Sequence, residues 1–302
     1  MCEDQIIARP TGIVDMVLDT DAYNEIDDQF AIAYALLSPE QVKVTALYAA
    51  PFLNEKSTGP KDGMEKSYNE ILNVLRLAER EDLCSSVFRG SETYLPDENT
   101  PVLSDAASDL AERAMRYSPE NPLYVVAIGA ITNVASALLL QPQIRDRIVI
   151  VWLGGNTLAW KNTHEFNMMQ DVAAARIVFG CGVRLVQLPC MGVVNIFTTT
   201  KPELEYWLVG KNRLADHLAK NAILEADSYA LGKPWSRVIW DVTAVAWLVD
   251  RDGRFMQDRL IPSPIPSYDH YYSIDPTRHL IRCVSEINRD ALMEDLFTKL
   301  LQ

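Results

Sequence analysis

Short apolar runs rich in β-branched residues alternate along the chain with longer stretches of helical spacing. IVDMVLD (Ile13 to Asp19) predicts a strand; after a polar turn, QFAIAYALL carries a helical period and closes at Ser38-Pro39. VKVTALYAA predicts a second strand, followed by a polar loop with Gly59, Pro60 and Gly63 and then a helix over NEILNVLRLAERED. The alternation continues with Leu123 to Ile128 and its helix, Arg147 to Leu153 ending in Gly154-Gly155, the helix VAAARIVFG, the strand VRLVQL and the helix DVTAVAWLVD. Strands alternating with helices of about a dozen residues imply right-handed βαβ crossovers. The predicted fold is therefore α/β: a Rossmann-like, mostly parallel open sheet with helices on both faces. No Gly/Ser linker, low-complexity tract or composition shift interrupts residues 1–302, which predicts a single domain. Leu260 to Asp275, with Pro262, Pro264, Pro266 and exposed aromatics around Tyr268, Tyr271 and Tyr272, predicts a long surface loop. It could serve as an interface, a lid or simply packed surface, and HLIRCV after it predicts a last strand.

Asn121 to Ile144 contains no charged residue and raises the question of a membrane span. Gly129, Thr132, Asn133 and Ser136 interrupt it and Pro122 and Pro142 bound it, so it reads as strand, turn and helix. At 48% hydrophobic and 23% charged residues, disordered and fibrous classes drop out. The formal charge of 28 − 41 = −13 argues against nucleic acid or an anionic membrane as partner and favours a small-molecule substrate. The five cysteines (Cys2, Cys84, Cys181, Cys190, Cys283) are odd in number and widely spaced, which predicts buried thiols in a reducing compartment. MCEDQIIARP has no cationic region before an apolar core, so no secretory signal is expected and the cytoplasm is the default.

In open α/β sheets, ligands bind beyond the carboxyl ends of the strands. The first strand runs into DTDAYNEIDD, where Asp19, Asp21, Glu25, Asp27 and Asp28 give five carboxylates in ten residues, with Asn24 among them. Two carboxylates about 5 Å apart repel by roughly 3 kcal/mol at an effective dielectric of 20, so in a crevice they call for a cation. Capping of the next helix would account for Asp27 and Asp28 at most. Oxygen-only ligands point to calcium or magnesium, and the density of carboxylates favours calcium. The glycine and closing glutamate of an EF-hand loop are missing.

DTDAYNEIDDQFAIAYAL resembles the opening signature of the inosine–uridine nucleoside hydrolase family, a D-x-D, a short loop and D-D at the head of a helix. GAITNVASAL, VWLGGN, EFNMMQDVAAARIVF and WDVTAVAWL resemble further family segments in the family's order, and together the matches cover about four-fifths of the chain. The resemblance implies the nucleoside hydrolase fold and hydrolysis of a ribonucleoside to base and ribose, with Ca2+ as cofactor. By the same resemblance Asp21, Asp28 and Asp241 would bind calcium with the backbone carbonyl near Ile131, and Asp21 would take the proton from a water held on the ion. Asp27, Asn167 and Asp241 would hold the ribose 2′ and 3′ hydroxyls and Glu165 the 5′ side, with Asp19 orienting its neighbours. A homodimer or homotetramer is implied as well.

The chemistry is consistent with these residues, because carboxylates stabilise an oxocarbenium-like sugar while an Asp base activates water. Taken singly, Glu165 and Asn167 also fit a helix N-terminus, and Asp241 an ordinary N-cap. Three features depart from the family pattern. The loop between Asp21 and Asp27 holds five residues instead of three, which brings Asn24 and Glu25 toward the site. Ala50-Pro51-Phe52-Leu53 lacks the usual Gly-Asn. Trp240 stands where purine-active members carry a histidine thought to protonate the leaving base. Loss of a general acid typically costs about 10²- to 10⁴-fold. His164, Tyr229 and His270 are the alternative donors; otherwise Trp240 and Trp235 stack on a base that leaves more readily. Two other readings stand beside the hydrolase: a nucleoside- or ribose-binding homologue without turnover, and a DxD magnesium phosphatase with Asp19 as nucleophile.

Overall fold

The computed structural model describes residues 7–302; Cys2 and the acidic start lie outside the described residues. Its strands are β1 (Val14–Thr20), β2 (Val42–Ala49), β3 (Val87–Arg89), β4 (Leu123–Ala127), β5 (Ile148–Leu153), β6 (Arg184–Leu188), β7 (Thr198–Thr199), β8 (Arg237–Val238), β9 (Met256–Pro262), β10 (Ile265–Pro266), β11 (Tyr272–Ser273) and β12 (Leu280–Ile287). Eight of them form one sheet in the order β3-β2-β1-β4-β5-β6-β12-β9, with β9 the one antiparallel member. β7 pairs with β8 and β10 with β11 as small antiparallel ribbons. The strand order reverses between β1 and β4, the place where such sheets open a crevice.

The helices are α1 (Asp27–Leu36), α2 (Pro60–Leu77), α3 (Asp105–Ala114), α4 (Thr132–Leu140), α5 (Phe166–Gln170), α6 (Val172–Gly180), α7 (Lys201–Trp207), α8 (Arg213–Ala230), α9 (Val242–Val249) and α10 (Arg289–Leu300). Successive strand residues feed opposite core layers: Val149, Val151 and Leu153 pack with α1, α2, α8, α9 and α10, while Ile148, Ile150 and Trp152 pack with α3, α4 and α6. Both faces are covered, so all six residues of β5 are buried and the run shows no polar alternation. Each such side chain contributes about 1.5–3 kcal/mol of burial.

The uncharged stretch from Asn121 resolves into β4, a turn and α4, and no helix among the described residues is long and apolar enough to cross a membrane. Cys84, Cys181, Cys190 and Cys283 are free thiols, the last two buried. Two predicted boundaries move. α2 starts at Pro60, inside the expected loop, because proline at the first helical position loses no hydrogen bond. Gly63 is then helical, and a Cβ there would lie 2.2 Å from the Phe52 carbonyl oxygen. The segment Leu260–Asp275 is not one surface loop: β9 continues to Pro262 as the sheet edge, where proline is tolerated, and the β10–β11 ribbon follows. Tyr268 and Tyr271 are exposed, but the Tyr272 hydroxyl accepts from Gln187 Nε2 at 3.1 Å and its ring packs edge-on against Phe179.

Candidate active site

A cavity of about 230 Å³ opens over the carboxyl ends of β1, β4, β5 and β6. Asp21, Asp27 and Asp28 enter it after β1, Ile128 after β4, Asn156 after β5 and Cys190 after β6. Trp240 and Asp241 close it from the loop leading into α9.

The carboxylates do not cap their helices. Ile26 is the N-cap of α1 without a side-chain bond, and Asp241, the N-cap of α9, makes no side-chain cap bond either. Instead Asp27, Asp28 and Asp241 each place an oxygen within 4.8 Å of the others, all three buried. Asp27 thus stands in the tight group where Asp21 was expected; Asp21 lines the same cavity beside it. The Thr20 hydroxyl donates to Asp28 Oδ1. Both oxygens of Asp21, Oδ1 of Asp27 and Oδ2 of Asp19 are buried without a hydrogen-bond partner. Asp19 is outside the cavity lining, and its Oδ1 accepts from Asn133 Nδ2 at 2.7 Å.

Burial and then mutual repulsion disfavour ionisation throughout this group. Burial pushes Asp19 and Asp28 up to about 7, against the hydrogen bonds from Asn133 and Thr20 respectively. Burial also holds Asp21 well above the usual carboxylate range, reinforced by Asp28, and does the same to Asp27, reinforced by Glu25. Asp241 is raised by burial and then by Asp27, Asp28 and Asp21. Buried carboxylate oxygens without donors are costly, and a divalent cation is the group that would let several ionise together. The oxygen-only donor set fits a hard cation.

Residues after β5 and in α5 build another part of the lining. Glu165 caps α5, with its carboxylate accepting from the N–H groups of Gly155 (2.7 Å), Asn167 (2.9 Å) and Met168 (3.0 Å). Its pKa is nonetheless raised, because burial outweighs those bonds. The helix-terminus reading of Glu165 is therefore realised together with its place on the cavity wall. Gly155 has φ +72°, and a Cβ there would meet the Tyr272 hydroxyl at 2.2 Å, so the Gly-Gly turn is required for this packing. Asn167 donates from Nδ2 to the carbonyls of Ile128 (3.2 Å) and Leu153 (3.0 Å), which leaves Oδ1 free. Ile131 is not among the residues lining the cavity and its carbonyl accepts the Ala135 N–H inside α4, whereas the buried Ile128, directly after β4, does line it. The Asp of the Glu-Phe-Asn segment, Asp171, is structural, bonding the Leu95 N–H, the Thr132 hydroxyl and the Ala174 N–H.

The longer first loop is clamped. Asn24 and Glu25 both line the cavity. Asn54 Nδ2 donates to Asn24 Oδ1 at 2.6 Å, Lys56 Nζ to the Asn24 carbonyl at 2.7 Å, and Arg237 Nη2 to Glu25 Oε2 at 2.9 Å. Tyr229 bonds Arg237 and Trp235 bonds Asp227 (3.2 and 3.1 Å), neither of them on the cavity, whereas His164 and Trp240 do line it. Sequence reasoning misses Cys190, Asn156, Ile128 and Arg237 as site residues. The first three follow strands, so reading the residue after every strand finds them. Arg237 has no such signal. Cys190 is buried, and burial followed by Glu165 pushes its thiol well up, so it stays protonated.

A family model described as "Inosine-uridine preferring nucleoside hydrolase" matches residues 16–288. The chain is 29% identical over 184 residues to the pyrimidine-specific ribonucleoside hydrolase RihA of Salmonella newport, covering 53% of this chain and 55% of that protein. It is 27% identical over 222 residues to the probable uridine nucleosidase 2 of Arabidopsis thaliana, covering 68% and 67% respectively. The alignment thus spans about half the length of the Salmonella relative. Among solved structures, a plant nucleoside hydrolase superposes with a TM-score of 0.74 at 21% identity over 97% of this chain and 99% of that one. A purine-preferring ribonucleoside hydrolase from Gardnerella vaginalis gives 0.72 at 18%, over 95% and 98%. These superpositions establish a shared fold.

Proposed function

The chain belongs to the inosine-uridine preferring nucleoside hydrolase family, and from that membership we propose that it hydrolyses the N-glycosidic bond of a ribonucleoside with calcium as its resident cation. The observation that carries this reading is the convergence of Asp27, Asp28 and Asp241 within 4.8 Å, beside the two unpartnered oxygens of Asp21, in one cavity. Bound there, calcium supplies the positive charge that lets the carboxylates ionise together and makes an attacking water more acidic.

Asp21 is the base. Both its oxygens are free of protein donors, and none of its lone pairs is committed to holding a loop. Asp28 and Asp241 would hold the cation, with a backbone carbonyl near Ile131 completing the protein ligands as the family resemblance implies. Asp27, Asp241, Asn167 Oδ1 and Glu165 accept from ribose hydroxyls; the two bonds fixing Asn167 Nδ2 and the three bonds fixing Glu165 pre-set their geometry before substrate arrives. As the C1′–N bond breaks, positive charge grows on the sugar and these carboxylates stabilise it. Trp240 offers an indole face to the base and no transferable proton.

Base release from uridine, inosine and p-nitrophenyl riboside tests the reading, using wild type and Asp21→Ala, each with calcium or EDTA. Uridine comes first because both sequence relatives are named for pyrimidine or uridine substrates. Hydrolysis that needs calcium and falls about 10²- to 10⁴-fold in Asp21→Ala is expected. Ribose and calcium binding with no turnover of any substrate would leave a binding protein on a hydrolase scaffold.

A further inference from the structure

Cleavage of a natural nucleoside leaves an electron pair on the departing base, and Trp240 cannot supply the proton that base requires. The carboxylates of the cavity floor are buried and suited to ribose hydroxyls, so the base of a bound nucleoside points to the rim. Among the described residues lining the cavity, one imidazole is present: His164, exposed at the rim beside Glu165. Imidazole is the side chain that both holds and gives up a proton near neutrality. The Cys190 thiol, buried and kept protonated, is the poorer donor.

His164 does not stand alone. His270, at the tip of the β10–β11 ribbon, stacks on it with ring centroids 4.0 Å apart and planes at 35°. The ribbon is held for this contact. The His270 carbonyl accepts from the Thr163 N–H at 2.8 Å, its N–H donates to the Ser267 carbonyl at 3.0 Å, and Arg176 Nη1 donates to the Pro266 carbonyl at 2.6 Å. His270 adopts φ +65°, a left-handed conformation that a residue with a side chain enters at a cost and that turns its ring onto His164. Its Nδ1 has no partner, so the stack is the contact its ring makes here. Burial and then the neighbouring His164 lower the His270 pKa, against Asp269.

We propose that His164, positioned by His270, is the proton donor to the leaving base, replacing from within the same cavity the donor that Trp240 cannot be. The proposal rests on the nucleoside hydrolase reading. In the step, the C1′–N bond breaks with its electron pair passing to the base, and the His164 ring N–H delivers its proton to a base heteroatom. Water oxygen bonds to C1′, its proton passes to Asp21, and exchange with solvent returns that proton to His164. His270 is a positioning residue.

Steady-state hydrolysis of uridine, inosine and p-nitrophenyl riboside by the full-length protein with calcium tests it, using wild type, His164→Ala and His270→Phe. The p-nitrophenyl leaving group needs no acid. The expected result for His164→Ala is a kcat loss of about 10²- to 10⁴-fold on nucleosides, less than about threefold on the riboside, and partial recovery on nucleosides with added imidazole. His270→Phe keeps a flat ring against His164, so kcat on nucleosides should fall about tenfold or less, with KM and the riboside rate unchanged. Equal losses on nucleosides and riboside, or nucleoside turnover unchanged in His164→Ala, would overturn the assignment while the hydrolase reading stands. A wild type inactive on all three substrates would overturn both.

Discussion

Asn133, in the first turn of α4, donates from Nδ2 to Asp19 Oδ1 at 2.7 Å, while its Oδ1 accepts from the Ser91 N–H at 2.8 Å and the Ser91 hydroxyl at 2.9 Å. A second bond from Nδ2 reaches the Ala49 carbonyl at 3.2 Å. One fully buried amide therefore ties the ends of β1 and β2 to the loop after β3. Asn133→Leu removes every one of these bonds and leaves buried groups unpaired, so urea unfolding should show a loss of at least about 2 kcal/mol. Ser91→Ala removes one hydroxyl and should cost about 0.5–1.5 kcal/mol. Wild-type stability in Asn133→Leu would show that the amide does not hold Asp19.

The raised carboxyls make the metal-free protein pH-sensitive in a defined direction. Burial pushes Asp19 and Asp28 up to about 7 in the folded state, and Asp21, Asp27 and Asp241 are held well above the usual carboxylate range. In the unfolded chain such groups ionise near pH 4. The folded state thus holds more protons between about pH 4 and 7, and stability falls as pH rises through that window. In EDTA, Tm should drop between pH 5 and 7.5. Calcium should restore it, more at pH 7.5 than at pH 5, by about 2.7 kcal/mol at a hundred times Kd. A calcium response equal at both pH values would remove the cluster as its cause.

Much of this site is legible in the sequence because strand ends concentrate chemistry. The acidic run after β1, the Gly-Gly turn after β5 and the Asp before α9 each announce themselves locally, and the strand–helix alternation supplies the sheet that gathers them. That Ile128 and not Ile131 lines the cavity is illegible because it depends on where α4 begins, and Ile131 is drawn into its N-cap position. Arg237 is illegible for a different reason: the contact that matters, to Glu25, joins residues 212 apart through the β7–β8 ribbon, which has no periodic signal. The tyrosine- and proline-rich segment reads as surface because proline masks β10, although Tyr272 anchors it on the sheet.

Asp241 separates capping from metal binding experimentally. Asparagine is as good an N-cap as aspartate, and the Asp241 side chain makes no cap bond in any case. Asp241→Asn should leave α9 intact and, by removing a carboxyl that burial and its neighbours hold from ionising in the folded state, raise the Tm of EDTA-treated protein at pH 7.5. Calcium affinity should fall at least about tenfold and base release at least about 10²-fold. A destabilised metal-free variant with undiminished calcium affinity would return Asp241 to an ordinary helix terminus.

The clamp on the longer loop makes two predictions of opposite sign. Arg237 Nη2 holds Glu25 at 2.9 Å and Glu225 at 3.4 Å, and Lys56 Nζ bridges Glu225 at 2.8 Å to the Asn24 carbonyl. The Arg237 side chain is 11% exposed, so this is an ion-pair network with limited solvent screening. Its largest electrostatic partner is Asp27, which lies in the tight carboxylate group. Arg237→Met keeps the stem and deletes the charge. Glu25 and Asn24 then lose their anchor on the cavity wall, and KM for nucleosides should rise about tenfold, equivalent to about 1.4 kcal/mol. A positive charge beside the carboxylates has been removed at the same time, so calcium should bind more tightly in the variant, as read by isothermal titration. If the loop were self-supporting, KM would not move; if Arg237 acted only as a structural pin, calcium affinity would fall together with substrate affinity. A rise in both KM and calcium affinity is the outcome that only the clamp, placed between the loop and the cation cluster, produces.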